Sequence, residues 1–185
     1  ARDIMTYDQK LAISPLYKET PLIDNQVFIG SKAYYLKKLY LNNYPVPPGF
    51  IITTEIFRRI KSILKVESIN NELDVMIKHH LTKIEKITGC TFGDPHNPLL
   101  LSVRSGSAIS MPGAMNTFLN VGLNDEITEE LSKQDNYGWT SWDCYRRLLQ
   151  TWGMSYGLER DDFDQIILDY KKKYNVAQKI GFTPA

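Results

Sequence analysis

Several features are scarce in this 185-residue sequence, and each scarcity excludes a class of protein. Only two cysteines occur, Cys90 and Cys144, so neither a disulfide scaffold nor a four-cysteine zinc site is expected, and a reducing, cytoplasmic compartment is favoured, with an organelle left open. Apolar runs such as Pro98 to Leu101 are far shorter than the roughly 20 residues of a membrane-spanning helix. Lys plus Arg number 22 against 21 Asp plus Glu, so the basic excess typical of nucleic-acid-binding domains is absent. We therefore expect neither a membrane nor a nucleic-acid partner.

The remaining composition, with 43% hydrophobic and 23% charged residues, is typical of a folded protein with an ordinary core. Residues 1–26 show no sustained period and are interpreted as an N-terminal arm with at most one short strand, whereas 27–185 are interpreted as one folded unit. Elsewhere short apolar runs predict strands, and apolar residues at three- and four-residue spacing predict helices. The predicted strands are 27–30, 50–54, 99–103 and 117–123, of which 99–103 is expected to be a central strand. The predicted helices are 32–41, 54–64, 69–88, 124–132, 139–152 and 161–174. We expect Asn70 or Asn71 to cap the helix at 69–88 and Gly89 to end it, and Asn124 or Asp125 to cap the helix at 124–132. This order predicts an α+β fold.

Two segments carry residues suited to phosphate. The first, 103–117, is rich in glycine, serine and alanine and contains a single charge, Arg104, directly after a predicted strand. Small residues let the backbone N–H groups approach an anion, and the arginine fork matches phosphate oxygens. In the second, Lys32 begins a helix directly after Gly30 and Ser31, where the helix dipole and the ammonium both favour an anion. Taken alone, each pattern is also typical of an exposed loop or a solvated lysine.

The amino-acid sequence of these segments resembles that of a known protein family. Ser102-Val-Arg-Ser-Gly106 followed by Ser110-Met-Pro-Gly-Ala-Met-Asn-Thr117 resembles the signature of pyruvate phosphate dikinases, within a match that runs from Thr91 to Asp125. Upstream, Ile29-Gly-Ser-Lys-Ala33 and the proline-rich run from Pro45 to Thr54 resemble the family's lysine-bearing glycine turn and the strand after it. Downstream, the segment from Trp142 to Gln150 resembles its Tyr-Arg-Arg helix. The resemblance covers roughly residues 22–175, and the Ser-Met-Pro-Gly stretch favours the dikinases over the related phosphoenolpyruvate synthases.

The resemblance implies the N-terminal part of an ATP-grasp nucleotide-binding domain. In this family the domain binds ATP with Mg²⁺ and passes the β,γ-pyrophosphoryl group to a histidine on a separate domain; phosphate and pyruvate then complete the conversion to AMP, pyrophosphate and phosphoenolpyruvate. Lys32 and Arg104 match the family's catalytic, phosphate-contacting lysine and arginine. Gly113, Ala114 and Met115 match the loop that closes over the ATP phosphates. The implied partners are the phosphohistidine and pyruvate-binding domains of a parent enzyme, and a homodimer of the full-length form stays open.

The sequence also departs from the family pattern. Ser31 and Ala33 stand where the family usually has glycine, Ala114 stands where it has methionine, and Asn116 stands where it has aspartate. The family's magnesium-binding carboxylates lie further along its nucleotide-binding domain, so no metal ligand is expected in this chain. We therefore expect the isolated chain to be inactive.

Two alternative functions are open at this stage. One is a stand-alone nucleotide- or phosphate-binding module without catalysis, and the other is a structural or regulatory partner that docks through the aromatic helix at 139–152. The adjacent His79 and His80 have no neighbouring ligand at metal-binding spacing and are interpreted as ordinary helix residues. Arg146 and Arg147 are interpreted as a solvated or ion-paired helix edge.

Overall fold

The computed structural model describes residues 8–106 and 117–182. The chain divides into two compact units. Within the described residues, unit 1 comprises 8–89 with Gly106, and unit 2 comprises 90–105 with 117–182. Both units combine helices with a short antiparallel ribbon of strands, so the α+β class is confirmed, whereas the ATP-grasp assignment stays a prediction.

Unit 1 packs three helices around a two-stranded ribbon. Its elements are the 3₁₀ turn Gln9–Leu11, β1 (Ile13–Pro15), α1 (Gln26–Leu41), β2 (Phe50–Ile52), α2 (Thr54–Ile63) and α3 (Glu67–Thr88). Strand β1 pairs antiparallel with β2, with Ser14 opposite Ile51, which confirms a short strand in the N-terminal arm. The buried core consists of Ala12, Ile13, Ile56, Ile63 and Leu73. These apolar residues come from β1, the residue directly before it, and two helices, so their burial holds the unit together.

Unit 2 packs three helices with a second ribbon. Its elements are β3 (Leu101–Arg104), β4 (Thr117–Val121), α4 (Asp125–Ser132), α5 (Gly138–Ser155), α6 (Arg160–Lys173) and the 3₁₀ turn Lys179–Gly181. Strands β3 and β4 are antiparallel, with Arg104 opposite Thr117 and an irregularity between Leu101 and Val103. Its most buried apolar residues are Leu99, Leu123 and Ile127.

The predicted strand at 27–30 is wrong, because these residues form the first turn of α1. Asn25 caps this turn: its side chain accepts hydrogen bonds from the backbone N–H groups of Val27 and Phe28. The predicted break at Gly30 is real, since this residue has φ 76° and ψ 156°, far from helical values, inside α1. Helix α1 therefore consists of one capped turn, a bend at Gly30, and a longer segment that ends at Leu41.

Two other predicted boundaries also differ. Helix α3 begins at Glu67 after Val66, so the predicted cap at Asn70 or Asn71 is wrong, whereas the predicted end at Gly89 is confirmed by its left-handed backbone, φ 74°. The run 99–103 is not a central strand: within the described residues β3 pairs with β4 alone, and its last three residues are exposed. No helix in the described ranges has the length and apolarity that a membrane span requires.

Candidate functional site

Lys32 lies at the start of the longer segment of α1, two residues after the bend at Gly30. Its side chain is exposed and has no ion-pair partner among the described residues. Because Gly30 has non-helical φ and ψ values, Lys32 lies in the first turn of the helical segment beyond the bend. An exposed ammonium at the start of a helical segment is suited to an anion.

Arg104 is the last residue of β3 and lies opposite Thr117 at the start of β4. It is also exposed, and no ion pair joins it to another described side chain. The antiparallel pairing holds its backbone while the guanidinium, with five donors, is available to solvent and to a ligand. Lys32 belongs to unit 1 and Arg104 to unit 2, so each is placed within its own unit.

The other predicted phosphate-binding residues, Gly113, Ala114 and Met115, lie outside the described residues, as does Asn116. The proposed closing loop therefore stays a prediction from the sequence. The described part of the chain fixes where this segment leaves β3 and where it enters β4 at Thr117.

A second lysine, Lys37, forms a buried polar cluster that sequence reasoning missed. Its ammonium donates hydrogen bonds to Asp24 Oδ1 at 2.6 Å, Ser14 Oγ at 2.8 Å and Thr20 Oγ1 at 2.9 Å. Only 2% of Lys37 is exposed, and Ser14 is fully buried. We call Ser14, Thr20, Asp24 and Lys37 the Lys37 cluster. The one available signal was weak, because Lys37 follows Ala33 by four residues on the segment beyond Gly30 and so shares a helix face with it.

The charges of this cluster stabilise one another. Burial alone would raise the pKa of Asp24, but hydrogen bonds from Lys37, Thr20 and Ser14 lower it below its ordinary value. Burial lowers the pKa of Lys37, and the attraction of Asp24 opposes that shift. A buried ion pair with every donor satisfied is the arrangement in which two charges are tolerated inside a protein.

In unit 2, Asp143 binds both neighbouring arginines of α5. Its carboxylate accepts from Arg146 Nε at 2.9 Å and from Arg147 Nε at 2.7 Å, which confirms the ion-paired edge expected from the sequence. Burial raises the pKa of Asp143, but the bonds from the two arginines outweigh that effect and lower it. Arg146 also lines a small pocket of about 130 Å³ with Trp139 and Trp142.

The histidines have structural partners of their own. The Nδ1 atom of His80 lies 2.8 Å from the hydroxyl of Tyr17, and His96 Nδ1 lies 3.6 Å from Glu130 Oε1. Within the ranges 8–106 and 117–182, no group of three or more His, Cys, Asp or Glu side chains is placed to hold a metal ion.

Comparison with known proteins gives strong matches to one enzyme. The chain is 38% identical over 146 residues to "Pyruvate, phosphate dikinase" of Rhizobium meliloti, with 78% of this chain aligned. It is 35% identical over 153 residues to the enzyme of that name from Entamoeba histolytica, and 35% identical over 149 residues to that of Clostridium symbiosum, with 82% and 80% of this chain aligned. The chain is therefore a relative of pyruvate, phosphate dikinase.

The relationship to pyruvate, phosphate dikinase covers only a small part of those enzymes. The chain spans 16% of the length of the Rhizobium meliloti protein and 17% of the other two, about a sixth in each case. No protein-family model matches the chain. The resemblance predicted from the signature segment is confirmed, and what the dikinase segment does in this chain is a separate question.

Proposed function

We propose that this chain binds the phosphates of ATP within a phosphotransferase of the pyruvate, phosphate dikinase type. The observation that carries the proposal is the identity of 35–38% to these enzymes over about four fifths of the chain. Because the chain spans about a sixth of their length, we further propose that phosphoryl transfer requires the phosphohistidine and pyruvate-binding domains of a parent enzyme.

The surroundings of Lys32 and Arg104 support the role in anion binding. Both side chains are exposed, and neither is neutralised by an acidic side chain in the described part of the chain. Lys37 makes an instructive contrast, since all its donors are already engaged inside the protein. The two lysines are five positions apart on α1, and only Lys32 is available to a ligand.

The chemistry of the two cations fits the phosphate part of ATP. Phosphoryl transfer depends mainly on positioning the phosphate oxygens and neutralising their charge. Lys32 supplies a point charge beside the N–H groups that follow the bend at Gly30, and Arg104 supplies a planar fork that can bind two oxygens of one phosphate. In this chain the two residues would hold and orient the phosphates, and the reacting histidine would come from elsewhere.

Unlike the phosphates of ATP, Mg²⁺ finds no suitable set of ligands among the described residues. Magnesium is bound in proteins through carboxylates, waters and substrate phosphates, and no acidic cluster suited to a metal lies within 8–106 or 117–182. We therefore assign no step of the reaction to a metal held by these residues, and we expect any Mg²⁺ to arrive bound to ATP.

The experiment is isothermal titration of the 185-residue chain with Mg-ATP. We expect micromolar binding, weakened about tenfold or more by Lys32→Ala or Arg104→Ala, because a hydrogen bond to a charged group typically contributes about 1.5–3 kcal/mol. Lys86→Ala, which removes an exposed lysine from α3, is the matched control and should bind as the unmodified chain does. Arg104→Lys keeps the charge but loses the fork, so it should bind with intermediate affinity.

The outcomes separate the candidate functions. Binding that is unchanged in Lys32→Ala and Arg104→Ala overturns the assignment of the site. No heat of binding for the unmodified chain rejects both ATP binding by this chain and the stand-alone module. Binding to the isolated chain, followed by no phosphorylation when the remaining dikinase domains are supplied, would favour the stand-alone module.

A further inference from the structure

The Lys37 cluster has no unused donor on its lysine. An ammonium has three N–H donors, and those of Lys37 reach Ser14, Thr20 and Asp24 at 2.6–2.9 Å. Asp24 in turn accepts from the Ser14 hydroxyl at 2.8 Å and from the backbone N–H of Thr20 at 2.5 Å. Only 2% of Lys37 is exposed, so a ligand cannot reach this lysine. The role of the cluster therefore depends on the segments of the chain that it connects.

A catalytic reading of the cluster is excluded by the same contacts. A serine hydroxyl 2.8 Å from a lysine amine is the arrangement of a serine nucleophile with a lysine base. Here the amine is held by three acceptors, Ser14, Thr20 and Asp24, and the nearby carboxylate of Asp24 opposes loss of its proton. Ser14 is also fully buried, so no substrate reaches it.

The cluster joins the two sides of the bend in α1. Asp24 directly precedes Asn25, the cap of the first turn, whereas Lys37 lies about two helical turns beyond Gly30. Backbone geometry alone does not set the angle at this bend, because glycine adopts φ 76° as readily as negative values. The contact between Asp24 and Lys37 crosses the bend and supplies the missing constraint.

The same segment of α1 carries Lys32. It begins after Gly30 and ends at Leu41, and Lys37 lies five positions after Lys32. Because a helix segment moves largely as a rigid rod, fixing Lys37 against Asp24 and Ser14 fixes the direction in which the start of the segment points. Ser14 belongs to β1, so the segment is also tied to the ribbon.

We propose that the Lys37 cluster fixes the angle of the bend at Gly30 and thereby directs the turn that carries Lys32 towards a phosphate of ATP. The second half of this statement rests on the proposed function; the first half does not depend on any ligand. Lys37 is thus a positioning residue and Lys32 a ligand-contacting one.

The experiment compares Lys37→Met with Lys38→Met, which removes the adjacent, exposed lysine of the same helix. Lys37→Met alone leaves Asp24 without its partner, so Asp24→Asn/Lys37→Met serves as a second variant in which neither charge is left unpaired. Backbone amide exchange is measured across Gln26–Leu41. We expect exchange on both sides of Gly30 to be faster by about tenfold or more in the Lys37 variants, with α3 unchanged and Lys38→Met like the unmodified chain.

Mg-ATP titration of the same folded variants provides the second readout. We expect the double variant to bind about tenfold more weakly or worse, because a small misplacement of a positioning group has a large effect. Unchanged exchange around Gly30 in the double variant overturns the proposal whether or not ATP binds. Faster exchange with unchanged ATP affinity contradicts the proposal that the cluster directs Lys32 towards a phosphate. If the unmodified chain does not bind ATP, both the proposed function and the orientation of Lys32 towards a phosphate are overturned. Amide exchange then still tests whether the cluster fixes the bend at Gly30.

Discussion

His80 lies half-buried on α3, where its ring is tilted by 33° against that of Phe50, with centroids 5.5 Å apart, and its Nδ1 contacts the hydroxyl of Tyr17. Burial lowers its pKa, and the neighbouring charges of His79 and Lys83 lower it further. The folded chain therefore favours the neutral ring more strongly than the unfolded chain does.

This shift predicts how stability changes with pH. Because the folded pKa of His80 lies below the unfolded value of about 6.5, its contribution is complete above that pH and is lost as the pH falls through the folded pKa. His80→Gln should therefore flatten the loss of unfolding free energy between about pH 7 and 5, as followed by urea denaturation. Parallel curves for His80→Gln and the unmodified chain would contradict the prediction.

Individual site residues differ in how far the sequence reveals them. Lys32 and Arg104 stand in segments whose small residues and signature wording point to phosphate, and both are exposed. Lys37 is one of two adjacent lysines in a helix that also has exposed apolar residues, such as Tyr35 and Leu39. Its burial depends on Ser14 of β1 and on Asp24, which directly precedes the cap of α1, and local spacing cannot reveal such partners.

At the scale of elements, most helices are predicted, and their first residues are predicted less well. Asn124 is a predicted cap that is confirmed, since its side chain accepts from the N–H of Ile127 at 2.8 Å. The run from Val27 to Ile29 reads equally as a strand or as a helix turn, because short apolar runs do not distinguish the two. The decision comes from Asn25, which caps the turn, and from the hydroxyl of Thr54, which donates to the carbonyl of Val27.

Asn124, which caps a helix, and Asn71, which lies inside one, should respond differently to substitution by alanine. Asn124→Ala should lower the free energy of unfolding by about 1 kcal/mol through loss of the cap. Asn71→Ala, inside α3 and exposed, should be neutral or stabilising by a few tenths of a kcal/mol, roughly the difference in helix propensity. Urea denaturation measures both. If Asn71→Ala instead lowered the free energy of unfolding by about 1 kcal/mol, the cap predicted at that position would be supported after all.

At the scale of the whole molecule, the chain has two cores. Unit 1 buries Ile56, with 2% of the residue exposed, and unit 2 buries Ile127, with 1% exposed. All three tryptophans, Trp139, Trp142 and Trp152, belong to unit 2. Tryptophan fluorescence therefore reports on unit 2, whereas circular dichroism reports on the helices of both units.

These positions predict separate unfolding transitions. Ile56→Ala should destabilise unit 1 by about 2–5 kcal/mol, the range for removing buried isoleucine side chains, and should shift the circular dichroism transition while leaving the fluorescence transition in place. Ile127→Ala, the matched change in unit 2, should shift the fluorescence transition. Equal shifts of both signals by both variants would show that the units unfold together.

The buried pair of Asp24 and Lys37 also has a consequence for heating. The free energy needed to remove charged groups from water falls as temperature rises, because the hydration of ions carries a strongly negative entropy. The net stabilisation from the contact across Gly30 should therefore rise on warming, whereas that from the surrounding apolar packing reaches a plateau. A bend held in this way would keep its angle as the temperature approaches the point at which the rest of the unit melts.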